Sequence, residues 1–411
     1  MFQIIKPIKK LMKIHYFFLI FFLLAAGFQG SAQDITESTF GNGIINSVAK
    51  DSSFSIKFGA RFQALYATDW RDSEFEGFES ESSNILIRRA RLKFGGFAYS
   101  PKLEYKIELG LSNRDIAGAS EFTEGAPMYI FDAVLKWNFY ENFVLWAGQA
   151  KLPGNRERVV SSGDLQLVDR SLLNSRFNID RDLGIQLHHK TNLGGSVILK
   201  EIFALSQGEG RNVVTGNLGG HQYTGRLEVL PFGEFKDYRE AALERYQTPK
   251  LSVGVTYDYN DDAVKTRSNM GEYMFTENGF HQTDISTFFA DFMFKYKALS
   301  ILGEFAHRDA ENPIAREEDG MPTGAIVNTG NSINLQGGYL LDNNIEFVGR
   351  FTNVQEDIAG SRFPNQNQYT LGVSKYISNH KLKVQTDISF NDNPEPEMNH
   401  IMYRLQIDFH L

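Results

Sequence analysis

Cysteine is missing from this 411-residue chain, and so is any long apolar run beyond the one near its N-terminus. A chain without cysteine can cross an oxidising compartment with nothing to mispair. After residue 32 no apolar stretch approaches the roughly 20 residues that a transmembrane helix requires. If this part of the chain enters a membrane, it must therefore do so as a closed barrel, whose strands need only about 9 to 11 residues each.

The short motifs that accompany hydrolytic chemistry are also missing. The sequence has no G-x-S-x-G, no H-E-x-x-H and no histidine with an obvious serine partner, whereas a hydrolase needs a nucleophile, a base and an orienting group within reach of one another. The adjacent His188 and His189 point to opposite faces of a strand, so they cannot jointly hold a metal ion. We predict no enzymatic activity, no cofactor and no metal site.

Positive charge is in short supply. The chain has 42 Lys plus Arg against 50 Asp plus Glu, which is a formal net charge of −8. Four of the lysines lie in the first 32 residues, which contain no acid, so removal of that segment takes the net charge to −12. Because proteins bind nucleic acids mainly by neutralising phosphates with Lys and Arg, this balance argues against a nucleic-acid partner.

The first 32 residues have the three parts of a secretory signal peptide. Four lysines precede an apolar stretch at residues 16–28, and the small residues Gly-Ser-Ala follow at 30–32. The apolar stretch is too short for a spanning helix, so we predict cleavage after Ala32. The predicted organisation is a signal peptide at residues 1–32, an N-terminal periplasmic segment at 33–52 and a barrel at 53–411.

The remaining chain alternates between apolar and polar residues with the period of two that is typical of strands. At residues 54–66, seven apolar residues occupy every second position. The same pattern predicts sixteen strands, at residues 54–66, 84–98, 102–111, 128–139, 143–151, 182–191, 195–207, 221–231, 249–260, 283–296, 298–309, 331–341, 344–354, 367–377, 381–390 and 400–411. The predicted fold class is therefore all-β, a transmembrane antiparallel β-barrel of sixteen strands.

The connections between these strands alternate between tight turns and long loops, which is the layout of a bacterial outer-membrane barrel. The predicted long connections are residues 68–83, 113–127, 152–181, 208–220, 261–282, 310–330, 355–366 and 391–399. One connection that should be a short turn instead contains the insert EFKDYREAALERYQ within residues 232–248. This insert is predicted to be a small helix at the periplasmic rim.

The third long connection carries spaced apolar residues together with Arg156, Arg158, Arg170 and Arg176. A polar loop with apolar positions must pack against something, because about thirty residues without structure are uncommon in an ordered protein. We predict that it folds back into the lumen, where its basic side chains line a constriction.

Six segments, in order, resemble the successive blocks of the phosphate-selective porin O and P family. They are IRRARLKFGGFAYSPKLEYKIEL, VLWAGQAKLPGNRE, NIDRDLGIQLHHK, GRLEVLPFGEF, PKLSVGVTYDYND and QYTLGVSKYISNHKLKVQ. The resemblance implies a trimeric porin of sixteen strands whose third extracellular loop enters the lumen, with arginines and lysines along the path of anions. Arg89, Arg91 and Lys93 match the basic second strand of the family, and Gln149 and Lys151 match the block before its constriction loop.

The predicted function is passive diffusion of small hydrophilic solutes through the outer membrane, with a preference for anions such as phosphate. The predicted partners are outer-membrane lipid and lipopolysaccharide, small anions, and two further copies of the chain in a homotrimer. The predicted pore-lining and anion-binding residues are Arg61, Arg89, Arg91, Lys93, Gln149, Lys151, Arg156, Arg158, Arg170 and Arg176.

Three alternatives remain open at this stage. Acidic residues also fall on inward faces, so each lumen arginine could pair with an acid and serve only to hold the barrel's shape. These acids are Glu104, Glu108, Asp132, Asp291 and Glu304. A channel for a bulkier solute would need aromatic residues in the lumen, where Phe97 and Phe289 are predicted to lie. The third alternative, an outer-membrane barrel enzyme, lacks a catalytic motif.

Overall fold

A computed structural model describes residues 45–411, apart from residues 52, 74–76, 117, 216, 359–364 and 396–397. The predicted signal peptide and most of the predicted periplasmic segment lie outside the described residues. Within the described part of the chain, no helix combines the length and the apolar character needed to cross a membrane.

Sixteen strands form one antiparallel sheet and are labelled β1 to β16 in chain order. Their bounds are Ser55–Ser73 (β1), Gly77–Ala98 (β2), Ser100–Gly110 (β3), Ile130–Tyr140 (β4), Phe143–Lys151 (β5), Arg181–Gly194 (β6), Val197–Ser206 (β7), Gln222–Leu230 (β8), Lys250–Ala263 (β9), Thr283–Tyr296 (β10), Leu299–Ala310 (β11), Gly330–Leu340 (β12), Ile345–Glu356 (β13), Gln366–Ser378 (β14), Leu382–Asp392 (β15) and His400–His410 (β16). A further short strand, Ile45–Val48, pairs with the start of β1.

The sheet closes on itself. Each strand pairs with the next along the chain, and β16 pairs with β1 from Arg61 opposite His410 to Arg71 opposite His400. Closure satisfies the backbone groups that an open edge would leave exposed, which is the condition for a strand structure inside lipid. The predicted sixteen-stranded barrel is confirmed.

The two faces of the barrel reverse the pattern of a soluble protein. On β8 the buried side chains are Gln222, Thr224, Arg226 and Glu228, followed by Leu230 at the end of the strand. The exposed ones include Tyr223, Leu227 and Val229. Because successive side chains of a strand point to opposite faces, this alternation gives the barrel an apolar outer surface and a polar interior.

The first hairpin differs from its prediction. Residues 68–83 were expected to form a long loop, but β1 continues to Ser73 and β2 begins at Gly77. The ladder continues there mostly between polar residues, for example with Thr68 opposite Ser83, and the aromatic residues Trp70 and Phe78 are exceptions. Alternation of apolar and polar residues cannot reveal a strand that has polar side chains on both faces, so the prediction was wrong at this point.

The insert within residues 232–248 was predicted to be a helix, and that prediction was wrong as well. Its backbone follows turns and irregular structure between β8 and β9. The carbonyl oxygens of Lys236 and Ala241 accept hydrogen bonds from the Lys295 ammonium, and the Glu240 backbone N–H donates to the Asp164 carbonyl. Tertiary contacts of the backbone have overridden a helical preference worth only tenths of a kcal/mol per residue, about 0 to 0.7.

The long connections contain the remaining regular structure. Helices α1 (Arg156–Val159) and α2 (Leu172–Phe177) lie between β5 and β6, and a 3₁₀ turn (Glu121–Thr123) lies between β3 and β4. Among the described residues, three small hairpins lie in the connections from β9 to β10 and from β11 to β12. They pair Lys265–Arg267 with Met270–Tyr273, Phe275–Thr276 with Gly279–Phe280, and Ile314–Arg316 with Pro322–Ile326.

Candidate functional site

The connection between β5 and β6, residues 152–180, makes contact with both sides of the barrel interior and is called here the crossing loop. Arg61 on β1 donates a hydrogen bond to the Ser162 hydroxyl at 2.6 Å, whereas Arg156 donates to Asp291 on β10 at 2.7 Å. Strands β1 and β10 lie on nearly opposite sides of a closed sixteen-stranded sheet. The loop therefore contacts buried faces of strands that are far from its own two anchors.

Apolar residues of the crossing loop pack against a small apolar area of the inner wall. Leu152, Leu173 and Phe177 form a cluster with Phe289 of β10 and Val354 of β13, and each of these side chains is at most 2% exposed. Burial of side chains of this size stabilises such a contact by about 1.5–3 kcal/mol for each fully buried one. Phe289, which was considered as an aromatic contact for a bulky solute, is covered by this packing.

Two wall glycines permit the close approach of the loop tip. A Cβ atom on Gly338 would overlap the Gln166 amide nitrogen, and one on Gly372 would overlap a methyl group of Leu167. The Gln166 amide donates hydrogen bonds of 2.6 Å to Ser300 and to Glu346. The tip is thus held at polar groups of several consecutive strands.

Arg156 anchors the first turn of α1 in a buried ion network. It donates to Asp291 at 2.7 Å, to Glu228 at 3.0 Å and to Ser252 at 2.8 Å. Arg226 binds the same two carboxylates. Removing one partner of a buried network of this kind costs about 3–5 kcal/mol, because it leaves an unpaired buried charge. Arg156 therefore fixes the crossing loop to the barrel wall.

The segment between β8 and β9, residues 231–249, is called here the rim segment, and it meets the tip of the crossing loop. The Glu240 carboxylate accepts hydrogen bonds from the Gln166 backbone N–H at 2.8 Å and from the Gln336 amide at 2.9 Å. Burial, together with the nearby charge of Glu157, raises the pKa of Glu240 to about 7. Loop and rim segment thus contact each other and the buried Gln336 side chain of β12.

A cavity of about 320 Å³ lies on the other side of the crossing loop, toward the long connections, and is called here the loop-side cavity. Its lining contains ten Arg or Lys residues and only three Asp or Glu residues. The basic ones are Arg88, Arg89, Arg91, Arg114, Lys151, Arg158, Arg170, Arg181, Arg211 and Lys265.

A second cavity of about 320 Å³ lies toward the short turns and is called here the turn-side cavity. Its charged lining residues are Arg91, Lys93, Lys106, Lys136, Lys151 and Arg181, against Glu108 and Asp132. The two cavities share Arg91, Lys151, Ser162 and Arg181. They are therefore consecutive spaces along the wall formed by β2 to β6, and the shared side chains mark the junction between them.

Some of the lining cations are neutralised by carboxylates. Arg91 forms two hydrogen bonds to Asp115, at 2.8 and 2.7 Å, and a third to Glu108 at 3.0 Å. Arg158 binds Asp180. Burial would raise the pKa of Asp180, but the guanidinium groups of Arg158 and Arg181 hold it well below its ordinary value. These ion pairs agree with the alternative in which interior arginines only hold the barrel's shape.

Other lining cations are held by carbonyl oxygens, which orient a charge without cancelling it. The Lys151 ammonium donates to the carbonyl groups of residues 158, 159 and 160, at 2.7, 3.0 and 3.2 Å. Arg170 donates to two carbonyls of the same loop, at 2.7 Å each. In the part of the chain that the structure describes, Lys151, Arg170 and Arg211 form no ion pair with a carboxylate.

Three cations of the loop-side cavity that donate to carbonyl oxygens, Arg170, Arg211 and Lys265, keep their charge at neutral pH. Burial is the main cause that lowers the pKa of Arg170 to about 10 and that of Arg211 to about 10, and the pKa of Lys265 falls to about 8 for the same reason. All three values lie above 7, so each group remains predominantly protonated. The cavities therefore contain positive charge that is not locally compensated.

Two β-bulges place side chains that strict alternation would have turned outward. In β2, Gln63 is opposite Arg89 and Ala64 is opposite Ile87, so Arg88 is the extra residue. Arg88 and Arg89 consequently both reach Asp169 of the crossing loop. In β4, Phe131 is the extra residue, and its ring lines the loop-side cavity. A bulge inserts one residue and re-aims its neighbours, and no simple sequence period predicts it.

The ten predicted site residues fall into two sets. Six of them line at least one cavity, namely Arg89, Arg91, Lys93, Lys151, Arg158 and Arg170. The other four have different surroundings. Arg61 binds Asp408, Gln149 donates to two backbone carbonyls of β4, Arg156 lies in the buried ion network, and the carbonyl oxygen of Arg176 accepts a hydrogen bond from Arg308.

Sequence reasoning missed Arg88, Arg114, Arg181, Arg211 and Lys265 in the loop-side cavity, and Lys106 and Lys136 in the turn-side cavity. Arg114, Arg211 and Lys265 lie in long connections, where periodicity carries no information about direction. Lys106 and Lys136 lie on the inward faces of β3 and β4, so the same alternation that located Arg89 could have found them.

A closed antiparallel barrel with an apolar outside, a polar inside and connected interior cavities defines the class of outer-membrane porin channels. The model of the phosphate-selective porin O and P family matches residues 56–342, and the chain belongs to this family. The chain is also 24% identical over 356 residues to an uncharacterised protein of Aquifex aeolicus (strain VF5), covering 80% of this chain and 81% of that one.

Solved structures share the fold at low sequence identity. An anion-selective porin from Comamonas acidovorans has a TM-score of 0.56 at 10% identity, covering 87% of this chain and 100% of that one. The outer-membrane channel DcaP of Acinetobacter baumannii has a TM-score of 0.52 at 13% identity, covering 90% of this chain and 100% of that one. OmpT, an outer-membrane protein of Vibrio cholerae, has a TM-score of 0.51 at 12% identity, covering 89% of this chain and 100% of that one.

Proposed function

We propose that this porin lets small hydrophilic solutes diffuse passively across the outer membrane and that it prefers anions, with phosphate among them. The observation that carries the proposal is the pair of connected basic cavities along β2 to β6. Contacts of the crossing loop and the rim segment with buried residues of β10 to β14 support a path that runs past the basic side chains. In this reading the chain is a channel and not an enzyme.

Local charge decides the preference, even though the whole chain is acidic, with a formal net charge of −8. A narrow passage with walls of low dielectric constant focuses the field of the charges that line it. Charges on exposed loops are screened beyond about 8 Å at physiological ionic strength. The cations that line the two cavities without a carboxylate partner therefore outweigh acids that lie elsewhere on the surface.

Preference for phosphate over chloride requires several donors that converge on one anion. Arg91, Lys151 and Arg181 line both cavities, so a solute at the junction is within reach of all three side chains. Lys151 and the loop arginines supply the charge, because Arg91 and Arg181 are already bound to carboxylates. The name of the family to which the chain belongs supports the same substrate.

We also propose an export route and an oligomeric state for this chain. The signal peptide is cleaved after Ala32, residues 33–52 lie in the periplasm, and three copies assemble in contact with lipid and lipopolysaccharide. Heat-dependent migration on gels and the mass of the detergent-solubilised protein test the assembly. A monomer by mass would contradict the homotrimer without affecting the proposal for the pore.

Reversal potentials in planar bilayers test the anion preference. With a tenfold gradient of KCl across the membrane, an anion-preferring pore gives a potential of the sign set by chloride. Addition of phosphate should then reduce the chloride current in a saturable manner. A pore that is cation-selective in this measurement would refute the proposed preference, and a linear phosphate response would refute a phosphate site.

A further inference from the structure

One aromatic ring faces three guanidinium groups near the junction of the two cavities. The ring centroid of Phe131 lies 4.1 Å from the Cζ atom of Arg91, 4.0 Å from that of Arg211 and 4.8 Å from that of Arg181. All three distances are within the roughly 6 Å at which a cation is attracted by the face of a ring. The three arginines come from β2, β6 and the connection between β7 and β8, so only the folded barrel brings them together.

The ring is fixed in this position from several sides. The side-chain amide of Gln149 donates hydrogen bonds to the carbonyl oxygens of Ile130 and Phe131, at 2.9 and 3.0 Å, and so holds the bulge of β4. Across the strand pair, Gly110 leaves room for the ring, because a Cβ atom there would overlap it. Phe131 itself is only 6% exposed.

Arg211 has the least polar support of the three arginines. One of its terminal nitrogens donates to the Asp115 carbonyl oxygen at 2.7 Å, while the other, Nη1, is buried without a hydrogen-bond partner among the described residues. Since a buried unpaired donor costs free energy, its persistence in the lining of the loop-side cavity points to a ligand that completes it. An oxyanion is the ligand that a guanidinium binds best.

We propose that Phe131 is a positioning residue that determines specificity by holding Arg211 beside Arg91 and Arg181 at an oxyanion site. A carboxylate in the place of the ring would hold Arg211 by cancelling its charge. The ring attracts Arg211 and leaves its charge and its unpaired Nη1 donor available to phosphate, whereas Arg91 and Arg181 are already bound to carboxylates. The inference rests on the proposed anion pathway and adds to it the residue that holds Arg211 beside Arg91 and Arg181.

The test compares Phe131→Leu, which keeps apolar volume but removes the ring, with Phe131→Tyr, which keeps the ring. In planar bilayers the phosphate concentration that blocks half of the chloride current should rise about fivefold to thirtyfold for the leucine variant, the loss expected from one or two desolvated cation–π contacts. The tyrosine variant should stay within about twofold of the unaltered protein. A purely structural role would predict the same phosphate block for all three proteins.

A double variant shows whether the ring acts through Arg211. In an Arg211→Gln background, Phe131→Leu should change phosphate block by less than about threefold, since the group that it positions is gone. An undiminished effect of the leucine substitution in that background would overturn the assignment. If the leucine variant does not assemble, Phe131→Met, which also lacks a ring, replaces it in both comparisons.

The unaltered protein separates this inference from the proposed function. If it shows no anion preference and no phosphate block, both proposals fail. If it is blocked by phosphate and the leucine variant is blocked equally well, only the role of Phe131 fails.

Discussion

Replacing Lys151 by glutamine is expected to weaken phosphate block and to shift the reversal potential toward cations. The ammonium group lines both cavities and is held by three carbonyl oxygens of the crossing loop. Glutamine can keep one of these hydrogen bonds but carries no charge. The substitution therefore removes the charge at the junction while it disturbs the loop as little as possible.

The magnitude follows from Coulomb's law. At about 5 Å from a passing monovalent anion, one positive charge contributes ~0.8 kcal/mol in bulk water and ~3 kcal/mol at an effective dielectric constant of about 20. The hydrated cavities lie between these limits, so a loss of about 1–2 kcal/mol is expected. This corresponds to phosphate block that is weaker by about fivefold to thirtyfold.

Two control variants accompany this measurement. Lys151→Arg keeps the charge and should keep most of the block. Lys190→Gln removes a lysine whose ammonium is paired with Glu234 at 2.8 Å and whose side chain is 51% exposed, so it should leave the block unchanged. The reasoning is refuted if Lys151→Gln behaves like the unaltered protein, because the lysine would then lie outside the path of the anion.

Deletion of residues 156–177 should raise single-channel conductance, because that part of the crossing loop occupies the interior, and an unchanged conductance would place the loop outside the path. Replacing both Arg89 and Arg91 with glutamate should shift the reversal potential toward cations, and an unaltered potential would identify these arginines as scaffolding. The pKa of Glu240, raised by burial to about 7, lies above the value of an unfolded glutamate, so its contribution to stability is present at low pH and is lost as the pH rises through about 7. Between pH 5 and pH 8 the unaltered protein should lose at most about 3 kcal/mol of unfolding free energy through Glu240, and its heat-dissociation midpoint should fall accordingly. In Glu240→Gln this fall should be smaller, and an identical fall in both proteins would contradict this role.

The barrel itself could be predicted because its physical requirement repeats along the chain. Each strand has to present apolar residues to lipid and polar residues to the interior, and this demand produces a period of two that can be counted. The secondary-structure prediction was wrong where a segment does not have to present apolar residues to lipid. Most of the described residues at 68–73 and 77–83 are polar on both faces, and the rim segment follows contacts to Asp164 and Lys295 in place of its local helical preference.

The candidate site could be predicted only in outline. Arg89, Arg91 and Lys93 lie on a regular strand, and alternation assigned them to the interior, where they line the cavities. The same rule turned Arg88 and Phe131 outward, because a bulge shifts the alternation by one residue and leaves no trace in the period. Residues of long connections, such as Arg211, have no periodic neighbour from which a direction could be read.

The sequence by itself determined the number of strands, the alternation of tight and long connections and the abundance of basic residues near the second and fifth strands. Only the tertiary structure decided which of those residues are paired with a carboxylate. Arg61 is paired with Asp408, which is 347 positions away, whereas Lys151 meets carbonyl oxygens of its own loop. A local sequence pattern shows whether a strand face is apolar or polar. Whether a basic side chain on that face is neutralised depends on a carboxylate partner, which only closure of the barrel and packing of the loop bring within a few ångströms.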